Sequence, residues 1–194
     1  MVTVTSFMLF PGGEFEMRKT LKEKRSMKET RGLVLVFTGE GKGKTTAALG
    51  LAVRMIKHGK RVAMVQFFKP NGRHIFPKAN FKVWSFGGGF TWNTSRAVNQ
   101  KSVDQAWRRC LELLKDSKYQ LIILDEIHIA IRHKFLRGAN VIKALRERAP
   151  ATHVVLTGRG APATLIRYAD LATEMKCLKH PFSKGFPAWR GLDF

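Results

Sequence analysis

The stretch TGEGKGKTTAALG, residues 38–50, carries the residue types best suited to chemistry. Gly43, Lys44 and Thr45 close a phosphate-binding loop of the form G-x-x-x-x-G-K-[ST], but Thr38 stands where the first glycine belongs and the nearest glycine is Gly39. The loop is one residue short. Gly39, Gly41 and Gly43 let backbone N–H groups face an anion, and a following helix adds the positive end of its dipole. Lys44 would neutralise phosphate charge, and Thr45 would place a hydroxyl on a divalent metal. The binding stretch runs through Gly39, Glu40, Gly41, Lys42, Gly43, Lys44, Thr45 and Thr46.

Three other segments can contribute. YQLIILDE, residues 119–126, ends an apolar run on Asp125 and Glu126. One of these carboxylates can bind Mg²⁺, directly or through water, as acidic residues at strand ends do in nucleotide-binding folds; a pair capping a helix is the alternative. GGGFTW places Phe90 and Trp92 on a glycine-rich loop. Such a tip can cover a large planar ligand, stack on nucleic-acid bases, or plug the core. Arg159, in TGRG, can reach a phosphate or another anionic group, or sit in a structural ion pair. His128 and His133 read as structural.

These segments need elements to hold them. LVLVF (33–37) is a short apolar run typical of a strand buried on both faces, and it leads straight into the glycine-rich turn. TTAALGLAVRMIKHG (45–59) has helical spacing and stops at a glycine. Further strands are expected at 61–68, 81–86, 119–126, 153–160 and 170–175, with a helix at 101–117, short helices within 127–148 and another at APATLIRYA. The tail from 176 is expected to be irregular. Strands alternating with helices give an α/β fold, a mainly parallel sheet flanked by helices in a single domain. Ligands then bind beyond the carboxyl ends of the strands, where every segment named above falls.

With 194 residues the chain suits one well-buried domain, residues 32–194, preceded by a charged, partly flexible arm over 1–31. No run approaches the length a membrane helix needs. The start has no basic region before its apolar residues, so it reads as a loose terminus or an upstream translation extension rather than a secretion signal. Cys110 and Cys177 form neither a metal motif nor a disulfide framework, which suits a reducing cytoplasm. The formal charge is +21, and no acidic residue occurs between Gly41 and Val103. That field attracts polyphosphate, nucleic acid or anionic membranes, or serves only as a solubilising surface.

VFTGEGKGKTTAALGLAVR, VQFFKP, GFTW, LDE, TGRGAP, ADLATEM, KHPFSKG and the terminal GLDF resemble, in this order, the P-loop ATP:corrinoid adenosyltransferases over residues 31–194. The resemblance implies a P-loop NTPase-like (RecA-like) fold. It implies that Co(I) of a corrinoid (cobalamin, cobinamide or cobyrinic acid a,c-diamide) attacks the 5′ carbon of ATP and releases triphosphate. ATP is then the co-substrate, with Mg²⁺ or Mn²⁺ held by Thr45 and Glu126 and the phosphate chain cradled by the short loop, Thr46 and Arg159. Lys44, Phe90 and Trp92 become the catalytic residues, the two aromatics closing on the lower face of the corrin. A flavoprotein reductant, a homodimer and an N-terminal segment folding over the corrinoid are also implied; a nucleic-acid or membrane partner is not. The chain departs from the family in the acid-free stretch after QFFKP, in His128 and in its charge. Two other classes fit some of the residues: a P-loop ATPase acting on nucleic acid, and a corrinoid-binding protein without catalysis.

Overall fold

Six parallel strands form one sheet in the order β3-β2-β4-β5-β1-β6. In the computed structural model the described residues are 31–69, 79–87 and 95–189. The strands are β1 (Val34–Thr38), β2 (Val62–Phe67), β3 (Phe81–Phe86), β4 (Leu121–Asp125), β5 (His153–Thr157) and β6 (Leu171–Glu174). The helices are α1 (Lys44–Lys57), α2 (Arg96–Lys115), α3 (Ile127–Arg132), α4 (Gly138–Arg146) and α5 (Ala163–Tyr168), followed by a 3₁₀ turn at Pro181–Lys184. No described helix is long and apolar enough to cross a membrane. The expected arm over 1–31 lies almost wholly outside the described residues, as do Phe90 and Trp92.

The alternation of side chains along each strand explains why the apolar runs are continuous. Val34, Val36, Ala63, Val65, Phe67, Ile122 and Leu124 face one side of the sheet, where α2, α3, α4 and α5 pack. Phe37, Val62, Met64, Leu121, Ile123 and Val155 face the other, against α1. A strand buried on both faces needs an apolar residue at every position. Ala48 and Ala52, one turn apart on α1 and fully buried, bring that helix close to the sheet. The strand β6 differs, since all four of its residues are exposed.

The six strand positions agree with the sequence reading to within a few residues. The helix α2 begins at Arg96, five residues before its expected start at 101. Its N-cap is Ser95, whose Oγ accepts a hydrogen bond from the Val98 amide at 3.4 Å. The first turn, Arg96–Gln100, exposes Val98 and buries Asn99, so a hydrophobic-periodicity argument misses it. The helix α1 ends where expected: Gly59 adopts φ +69°, and its N–H donates to the Ile56 carbonyl at 2.8 Å.

Candidate active site

The carboxyl ends of the strands lie in register. Gln66 pairs with Ser85 on one side and Asp125 on the other, Phe37 pairs with Thr157, and Thr38 pairs with Glu174. The loop between β1 and α1 sits at this edge. Thr38 stays in the strand, and its Oγ accepts from the Ala161 amide at 3.0 Å. The left-handed turn that the first glycine usually makes falls to Gly39, at φ +97°.

The segment after β6 clamps the loop. The Gly41 amide donates to the Met175 carbonyl at 2.7 Å, and the Met175 amide donates to the Thr38 carbonyl at 2.8 Å. A Cβ on Gly39 would lie 2.4 Å from the Met175 oxygen, and one on Gly41 2.8 Å from the Lys176 carbonyl. Both glycines are therefore fixed by close backbone approach. Gly41 spends its N–H on this clamp, and the amides that open α1 add the positive end of the helix beside it.

Lys44 is 7% exposed. Its Nζ donates to the Gly39 carbonyl at 2.8 Å and the Gly41 carbonyl at 2.5 Å. Burial lowers its pKa; Glu126, Glu40 and Asp125 oppose that shift, while Arg159 adds to it. Among the described residues its only hydrogen-bond partners are those carbonyls, so this cation is placed for an anionic guest.

Asp125 organises the site. It is fully buried and accepts four hydrogen bonds. Thr45 Oγ and Thr157 Oγ donate to Oδ1 at 2.8 and 2.7 Å. Lys69 Nζ and Gln66 Nε2 donate to Oδ2 at 2.6 and 3.2 Å. It is thus an internal acceptor rather than a helix cap. Ser85 Oγ continues the row by donating to Gln66 Oε1 at 3.0 Å. Lys69, Gln66 and Thr157 were not singled out in the sequence. Their signal was position alone: Gln66 and Lys69 lie at the end of β2, which β4 and β5 separate from the loop strand β1, and Thr157 ends β5, the neighbour of β1.

Glu126 follows with opposite character. It adopts φ +64°, a left-handed conformation that costs a non-glycine residue about 1–2 kcal/mol. Its amide donates to Thr157 Oγ at 3.0 Å, its Oε2 is buried, and among the described residues that oxygen has no hydrogen-bond partner. Burial, then the neighbouring Asp125 charge, raises its pKa. A strained residue holding an orphaned carboxylate oxygen marks a functional position. The TGRG turn makes room for it, because a Cβ on Gly158 would lie 3.2 Å from Glu126 Oε2 and 3.1 Å from His128 Cβ.

His128 is fully buried, and among the described residues neither ring nitrogen has a hydrogen-bond partner. Burial lowers its pKa to about 4; the Leu156 carbonyl opposes the shift without reaching hydrogen-bond geometry. In the unfolded chain the imidazole takes a proton below about pH 6.5. The folded chain refuses it down to pH 4, so this contribution is full above 6.5 and lost as the pH falls from 6.5 to 4. The loss amounts to about 3 kcal/mol. His128→Leu should remove that slope, which urea midpoints at pH 7 and pH 4.5 would register.

The remaining expected residues lie around the loop mouth. Lys42, Thr46 and Glu40 are exposed. Arg159 Nη1 pairs with Glu40 Oε2 at 3.3 Å, so its contact here is a carboxylate of the loop itself. His133 is exposed and stacks on Phe135 with ring centres 6.3 Å apart.

The family model for the ATP:corrinoid adenosyltransferases BtuR/CobO/CobP matches residues 30–194. A corrinoid adenosyltransferase of Sinorhizobium sp. is 41% identical over 188 residues, 91% of this chain and 88% of that protein. One of Escherichia coli K12 is 37% identical over 171 residues, 86% of this chain and 87% of that protein. The corrinoid adenosyltransferase CobA of Salmonella typhimurium LT2 is 37% identical with the same coverage.

Proposed function

We propose the chemistry of this site from one premise: the chain belongs to the ATP:corrinoid adenosyltransferase family and transfers the adenosyl group of ATP to a corrinoid. An ATPase acting on nucleic acid is not favoured by these relatives. The reacting nucleophile is Co(I) of the corrinoid substrate. Its electron pair attacks the ribose C5′, a Co–C bond forms, and the C5′–O5′ bond breaks. The departing pair stays on the triphosphate oxygen, and cobalt rises formally from +1 to +3. No proton moves, so no general base is needed.

The protein must align the nucleophile with the leaving oxygen and neutralise charge on the departing triphosphate. The observation that carries this reading is Lys44, a buried cation held by two loop carbonyls beside the amino end of α1. The phosphates would lie in the loop from Gly39 to Thr46, with Lys42 and Arg159 at its mouth. A resident Mg²⁺ fits the donor set: Thr45 Oγ, the orphaned Glu126 Oε2, and Asp125 behind them as hydrogen-bond acceptor. The described residues hold no group of three or more metal-ligating side chains, so phosphate and water would complete its shell, as is usual for Mg²⁺. Such an ion would supply further neutralisation of the leaving group.

Phe90 and Trp92 would cover the lower face of the corrin, where loss of an axial ligand eases reduction of Co(II). A flavoprotein would deliver that electron, and the enzyme would act as a cytoplasmic homodimer. The basic surface suits a corrinoid bearing free carboxylates. The test is anaerobic turnover with MgATP and chemically reduced corrinoid, followed by visible absorbance. The expected result is a light-sensitive alkylcorrinoid spectrum, with kcat/KM higher for a carboxylated than an amidated corrinoid and the gap closing with salt. Absence of the alkyl spectrum overturns the transfer; equal, salt-independent values overturn the substrate preference.

A further inference from the structure

Glu40 is bound by two arginines from different elements. Arg159, beyond β5, approaches Oε2 at 3.3 Å, and Arg132, the last residue of α3, approaches Oε1 at 3.8 Å. The Arg132 side chain lies across Gly160, where a Cβ would come within 3.2 Å of its Cδ. The TGRG turn therefore uses one glycine to admit Glu126 and the other to admit Arg132. All three charged side chains are more than half exposed, at 61%, 55% and 59% for Glu40, Arg159 and Arg132.

From this arrangement we infer that Arg132 is a second arginine for the polyphosphate of the nucleotide, and that Glu40 is the internal carboxylate that occupies both guanidiniums until the polyphosphate displaces it. The inference rests on the reading that the loop holds the phosphates of ATP. Its physical basis is the imbalance of the cluster. Two guanidiniums carry ten N–H donors between them, and one monovalent carboxylate satisfies few of these. Exposed ion pairs of this length are weakly held, so a multiply charged anion can replace Glu40 at small cost. Guanidiniums match phosphate oxygens in geometry as well as charge. Glu40 also keeps the two arginines near each other before the nucleotide arrives, and competes with triphosphate after the Co–C bond has formed. It thus trades affinity for release of the product.

The test is calorimetric titration of the full-length protein with inorganic triphosphate and magnesium chloride, without corrinoid. Arg132→Ala is expected to weaken binding about tenfold, the loss of one charge-assisted contact. Arg132→Lys should recover only part of it. Glu40→Gln should do the reverse and tighten binding by about threefold to tenfold, because it removes the competitor while keeping the shape. A merely structural ion pair predicts lower thermal stability for both variants and unchanged affinity. Affinity of Arg132→Ala within about twofold of the parent, or weaker binding by Glu40→Gln, would overturn the inference. Lys44→Ala serves as the control in the same titration. If it binds triphosphate as the parent does, the loop does not hold the phosphates, and the underlying reading fails instead.

Discussion

Lys44→Ala is expected to lower kcat/KM for adenosyl transfer by at least about a hundredfold, the scale of losing one preorganised charge at a site where negative charge develops. The side chain is nearly buried and its ammonium touches only the Gly39 and Gly41 carbonyls among the described residues. Those carbonyls hold it against the loop without neutralising it. Its removal deletes a desolvated cation, so the fold should lose little, and the melting temperature should stay within a few degrees of the parent. The combination matters. A large kinetic loss with an unchanged melting temperature assigns Lys44 to the phosphates. A large fall in melting temperature would assign it to the loop's own architecture.

Asp125→Ala should have the opposite profile, with stability lost first. Four donors converge on this fully buried carboxylate, one of them the Lys69 ammonium. Its removal leaves the Thr45, Thr157 and Gln66 donors without their acceptor, at about 1–3 kcal/mol for each buried donor and about 3–5 kcal/mol together, while Lys69, 37% exposed, can turn to solvent. For a chain of this size that corresponds to a fall of about 10 °C in melting temperature. Adding Lys69→Met to Asp125→Ala should recover little of the loss, since the freed ammonium already reaches solvent. Activity should drop as well, because Thr45 and Thr157 both orient through Oδ1 and Thr157 carries the Glu126 amide. A double-mutant cycle by thermal unfolding checks this. A loss below about 1 kcal/mol in the single variant would show that Asp125 does not organise the site.

The architecture was legible because each central strand is buried on both faces and so must be an unbroken apolar run. LVLVF, RVAMVQFF and YQLIILDE declare themselves by composition. The loop was legible because GKGKTT joins such a run to a helical pattern. What composition cannot express is which strand ends meet. Lys69 finds Asp125 across 56 positions, and Thr157 finds it across 32, because β2, β4 and β5 are neighbours in register. That neighbourhood is a property of topology. Arg132 was invisible for a similar reason, since α3 ends beside Gly160 only once the sheet has formed. The unusual backbone at Glu126 also escapes a sequence argument, because nothing in LDEI announces a left-handed residue. The start of α2 was the one element signal left unused, for Ser95 stands at the right place to cap it.

The central claim is that the short loop holds a triphosphate that leaves intact when C5′–O5′ breaks. The most direct measurement is the phosphate product of a single anaerobic turnover with MgATP and Co(I) corrinoid, resolved by ion-exchange chromatography. The account predicts one inorganic triphosphate for each Co–C bond formed, with none from Lys44→Ala. ADP and orthophosphate, without alkylation of the corrinoid, would contradict it and would make the loop an ordinary hydrolytic one.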